Sequence, residues 1–85
     1  MVLSKSKLIP LLVEQGFISS EKQSVSYEAF GRQVFAFIRV LDMQTRERAE
    51  RFLRDRGISF KPDYWPGKPY VQVRVSYFKA WHWDE

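Results

Sequence analysis

Phe35, Phe37 and Arg39 recur at two-residue spacing in the run Gln33-Val34-Phe35-Ala36-Phe37-Ile38-Arg39-Val40. On a strand this spacing puts two aromatic rings and a cation on one face, and Val34, Ala36, Ile38 and Val40 on the other. Flat rings beside positive charge are what stacking of bases and neutralising of phosphates require. The same pattern also suits a central strand buried on both sides. Other chemistry has little to work with. The chain has no cysteine, so thiol nucleophiles, disulfides and Cys-based zinc sites are absent. His82 is the single histidine and stands in the C-terminal tail with Asp84 and Glu85, where a metal would find no rigid scaffold. Ser19, Ser20 and Ser26 have no base near them in sequence, and no glycine-rich phosphate loop occurs. The expectation is a protein that is not an enzyme and uses no cofactor.

The C-terminal third extends the stacking argument. Lys61, Lys68, Arg74 and Lys79 face a single acid, Asp63, over residues 58–80, and eight of the fourteen aromatics fall in 57–85. If 70–79 is a strand, Tyr70, Gln72, Arg74, Ser76 and Phe78 share one face, opposite Val71, Val73, Val75 and Tyr77. Were that face set beside Phe35 and Phe37, the sheet would offer four aromatics to bases, with Arg39, Lys61, Lys68, Arg74 and Lys79 for phosphates. The competing use of these residues is a protein interface, which also favours aromatics and Arg. Under it Trp65, Trp81 and Trp83 are covered on association, the domain acting as a dimer, an adaptor or an inhibitor of a larger complex; Tyr64, Trp65, Trp81 and Trp83 packing over one another is the plainer alternative.

These residues must be carried by a single domain, residues 1–85, since a chain of this length has room for one core. Residues 6–16 read as a helix with Ser6 as N-cap, Pro10 at the fourth helical position and Gly16 as its stop. Residues 19–24 read as a polar connection. Two strands are expected over 25–30 and 32–41, joined near Gly31. A helix competes over 26–41, because Tyr27, Phe30, Val34, Ile38 and Leu41 also recur at helical spacing; with it the chain would resemble a winged-helix DNA binder. The aromatic and β-branched content of 34–40 favours the strands. Residues 42–56 read as a helix from Asp42 to a stop at Gly57, with Ala49, Phe52 and Leu53 buried. A short strand over 58–61, a stiff turn with Pro66-Gly67 in type II geometry, and a long strand over 70–79 complete the chain. The order α-β-β-α-β-β implies an α+β fold, a mostly antiparallel sheet with both helices on one face.

Helix 42–56 carries five arginines but also their partners. Arg46, Glu50 and Arg54, and Glu47, Arg51 and Asp55, stand four apart and form ladders of opposite charge along a solvated face. Arg48 and Arg56 have no such partner and are the helix's best candidates for an outside contact. Lys5, Lys7 and Lys22 balance Glu14, Glu21 and Glu28, so the net charge of +4 comes from residues 32–85. A basic half favours nucleic acid, an anionic surface or an acidic protein. The apolar stretch Leu8–Val13 is too short for a signal core or a membrane span. With the lack of cysteine, this points to a cytoplasmic protein with no membrane role.

The segment Phe35-Ala36-Phe37-Ile38-Arg39-Val40 resembles the central aromatic strand of the RNA-recognition motif, whose pattern is a basic residue, Gly, an aromatic, Gly or Ala, an aromatic and an aliphatic. The following helix, with Ala49, Phe52 and Leu53 before a Gly, is similar too, and the likeness covers roughly 7–57. It implies base stacking by Phe35 and Phe37. Val34 stands where the family has Gly, and Gln33 where it has a base. The family's first strand, with its own stacking aromatic, has no counterpart before the first helix; the C-terminal strand could take that place.

Overall fold

The computed structural model describes residues 1–76. Helix α1 spans Lys5–Glu14, a single helical turn α2 spans Glu21–Ser24, and strands β1 and β2 span Val25–Phe30 and Gln33–Arg39. Helix α3 (Met43–Asp55) follows, then β3 (Phe60–Lys61) and β4 (Tyr70–Val75). All pairings between the strands are antiparallel, in the order β1-β2-β4-β3. The chain is therefore an α+β domain, and 26–41 forms a hairpin, not a helix.

The helix ends follow from local chemistry. Asp42 caps α3: its Oδ1 accepts from the Thr45 N–H and the Thr45 hydroxyl, both at 2.8 Å. At the other end Gly57 adopts φ 69°, a left-handed conformation that costs glycine little. It donates to Arg54 O and Ile58 donates to Leu53 O, which satisfies two carbonyls the helix leaves open and turns Ile58 into the core. Gly16 closes α1 in the same way, with bonds from Gly16 to Val13 O and from Phe17 to Leu12 O. The start of α1 differs from expectation. Ser4, not Ser6, is its N-cap and makes no side-chain cap bond; the two hydroxyls lie 3.1 Å apart. Pro10 thereby moves to the sixth helical residue, where its missing N–H leaves the Ser6 carbonyl without the helical bond. The polar connection 19–24 contributes α2, and β2 ends at Arg39, with Val40 donating to Pro69 O at 2.9 Å.

Strand alternation decides what is buried. Val34, Ala36 and Ile38 from β2 and Val71, Val73 and Val75 from β4 face the helices, each no more than 1% exposed. They meet Leu8 and Leu12 of α1 and Ala49 and Leu53 of α3 in one cluster. Fully burying such a side chain contributes roughly 1.5–3 kcal/mol, so this face holds the fold together. Its partner face is free of helices among the described residues.

Candidate nucleic-acid interface

The register lines the second face in rows. Phe35 of β2 lies between Glu28 of β1 and Arg74 of β4. Phe37 lies between Ser26 and Gln72, and Gln72 pairs onward with Lys61 of β3. Arg39 pairs with Tyr70. Directly opposed residues project to the same side, so Phe35, Phe37, Arg39, Tyr70, Arg74 and Lys61 occupy one surface. Phe35, Phe37 and Tyr70 are half-buried, while Arg39, Arg74 and Lys61 are exposed. The strand order, which the sequence left open, is what joins the two aromatic strands side by side.

The rings form two groups. Phe30, at the end of β1 and 57% exposed, meets Phe35 edge to face with centroids 5.8 Å apart. Phe37 meets Tyr64 at 5.3 Å, Tyr64 meets Trp65 at 6.5 Å, and Trp65 stacks on Tyr70 at 5.0 Å with an interplanar angle of 28°. Trp65 remains 47% exposed. Phe30 falls on this face by the parity of its strand, a signal the sequence already carries; Tyr64, expected to pack with the neighbouring tryptophans or at an interface, meets Trp65.

Among the described residues no carboxylate stands within 4.0 Å of Arg39, Lys61, Lys68 or Arg74. Glu28 is the acid of this face, one strand beyond Phe35. Lys68 is exposed on the loop beside Trp65. Phe78 and Lys79, expected to extend this face, and Trp81 and Trp83, expected at an interface, lie outside the described residues. So does the tail cluster of His82, Asp84 and Glu85.

The loop 62–69 is fixed from below by α3. The expected type II turn is present: Lys68 donates to Trp65 O at 3.0 Å and Gly67 has φ 78°. Arg46 is 3% exposed and its guanidinium holds the loop at three points. Nη1 donates to the carbonyls of Trp65 and Lys68, both at 2.7 Å, and Nη2 to Asp63 Oδ1 at 2.6 Å. Nε reaches Glu50 Oε2 at 3.3 Å, and Glu50 accepts from the Asp63 N–H at the same distance. Asp63 itself has φ 52°, a conformation that Asp tolerates better than most residues.

This overturns the expectation of two solvated charge ladders. Of those pairs, Arg46–Glu50 forms, and among the described residues no other falls within 4.0 Å. Arg46 is buried because the loop crosses it. Arg54 lies over the Phe60 ring at 5.8 Å, and Arg56 lies over Phe52 at 4.8 Å, so Arg56 has an internal partner. Arg48 is exposed.

Among the described residues, two titrating groups depart from their ordinary range. Tyr27 is held protonated to high pH, first by burial and then by its bond to Glu21. Lys5 lies 3.2 Å from Glu21 and over the Tyr27 ring, joining α1, α2 and β1. Asp42 is lowered, first by the Thr45 N–H bond and then by the Thr45 hydroxyl. Both belong to the frame and not to the open face.

No family model matches the chain, and no curated protein or solved structure is significantly similar to it. No helix among the described residues is long and apolar enough to cross a membrane.

Proposed function

We propose that this domain is a non-enzymatic, cytoplasmic protein that binds nucleic acid, single-stranded or RNA, through the open face of its sheet. The observation that carries this reading is the juxtaposition on one face of half-buried Phe35 and Phe37 with exposed Arg74, Arg39 and Lys61. Each base stacked on an aromatic contributes roughly 1–3 kcal/mol, and these cations, which have no carboxylate partner among the described residues, engage phosphates. The order β1-β2-β4-β3 is compatible with the RNA-recognition-motif resemblance. β4, carrying Tyr70, lies next to the aromatic strand, and under this reading it would serve as the family's first strand.

Fluorescence titration of the native tryptophans with single-stranded RNA, single-stranded DNA and duplex DNA, each at two salt concentrations, tests this. The expected result is saturable binding to a single strand that weakens as salt rises, with a slope that counts the phosphates engaged. No response from a folded protein would contradict it.

The second reading is a protein interface, favoured by the exposure of Phe30 and Trp65 and by β1 as an edge strand among the described residues. Under it the protein dimerises or joins a larger complex. Sedimentation of a monomer at high concentration would remove the dimer form.

A further inference from the structure

The loop 62–69 carries chemistry that the sheet lacks, and a single buried side chain sets its position. Trp65 stacks on Tyr70 and remains 47% exposed, and Tyr64 abuts Phe37. Neither ring belongs to a strand, so no ladder of backbone bonds holds it. Their backbone is held instead by the turn at Pro66-Gly67 and by Arg46, whose Nη atoms bind the carbonyls on both sides of that turn and the carboxylate of Asp63 before it.

A planar fork of donors suits three acceptors spread along one loop, and a lysine ammonium could not match it. Arg46 is too deeply covered, at 3% exposure, to touch a ligand itself. We propose that Trp65 is a separate stacking subsite for one nucleobase at the β4 side of the sheet, and that Arg46 is the positioning residue that builds it. This rests on the nucleic-acid reading above and adds to it a subsite outside the aromatic strand and a residue that acts through the loop.

The test uses the full chain and fluorescein-labelled octauridylate, read by anisotropy over a range of salt. Trp65→Ala and Arg46→Met are each expected to weaken binding about tenfold, within what one base stack contributes. The double variant is expected to be no weaker than either single one, because both remove the same subsite. The salt slope should stay unchanged in all three, whereas loss of a phosphate-binding arginine lowers it by about one. In a chain with Trp81→Phe and Trp83→Phe, Arg46→Met should shift Trp65 emission to the red and increase its quenching by acrylamide. Arg46→Lys should behave as Arg46→Met does.

Binding by Arg46→Met equal to wild type, additive losses in the double variant, or a reduced salt slope would overturn the proposal. If circular dichroism shows Arg46→Met unfolded, Asp63→Ala takes its place. It cuts the exposed end of the clip, and a several-fold loss that disappears in the Trp65→Ala background is then expected; an unchanged affinity overturns the proposal. Failure of the wild-type chain to bind any single strand would overturn the nucleic-acid reading and this inference together. Failure of the variants alone to weaken binding would overturn only this inference.

Discussion

The two faces of the sheet are built from alternate residues of the same strands and differ in kind. The packed face is aliphatic: Val34, Ala36, Ile38, Val71, Val73 and Val75 fill the space under the helices with almost no exposure. The other face is aromatic and basic, and its rings are only partly covered. Phe35, Phe37 and Tyr70 are half-buried on this second face, where Phe37 packs on Tyr64 and Tyr70 on Trp65, while the packed face of the same strands holds smaller side chains.

The contrast can be broken from either side. Leu53→Ala, on the packed side of α3 and fully buried, should have the largest effect on stability, costing about 2–5 kcal/mol in denaturant unfolding. The affinity of the fraction that stays folded should not change. On the open face Phe35→Leu with Phe37→Leu should reverse this pattern. Single-strand binding should fall by tenfold or more, as expected for two stacks at roughly 1–3 kcal/mol each, while the circular dichroism spectrum is retained. Unaltered binding by that folded variant would remove the stacking role. Arg74→Ala sharpens the comparison further: a smaller loss of affinity, with the salt slope reduced by about one.

The smallest effect belongs to the frame. Asp42 has a lower pKa folded than unfolded because Thr45 donates to its carboxylate. On acidification the unfolded chain takes up this proton first, so stability falls with falling pH. The cap's contribution is full above the ordinary aspartate range and is lost as pH drops through the depressed value. Asp42→Asn should therefore show a shallower loss of melting temperature toward low pH than the wild-type chain. Identical slopes would show that the cap does not carry this dependence.

Local signals in the chain were sufficient for much of this. Asp42 before α3, Gly16 and Gly57 after their helices, and Pro66-Gly67 in the turn act within four residues, and each adopts the expected conformation. The parity of 33–39 and 70–75 gave both faces correctly. Two features needed contacts between distant residues. The pairing of β4 with β2 joins segments separated by a helix and a loop, and alternation alone does not select it. Arg46 was misread because four-residue spacing compares a side chain only with its own helix. Its decisive acceptors are carbonyls 19 and 22 residues onward, for which no sequence pattern exists. The start of α1 shifted for a smaller reason, since Ser4 and Ser6 are equally suited to an N-cap by type.

The most direct test of the functional account is a nuclear magnetic resonance titration with a short single-stranded RNA, following aromatic and backbone signals residue by residue. The account predicts that Phe35, Phe37, Trp65, Tyr70 and Arg74 shift together and saturably, while Arg48 and Arg51 on the outer side of α3 do not. Shifts concentrated on α3, or none at all at millimolar RNA, would contradict it.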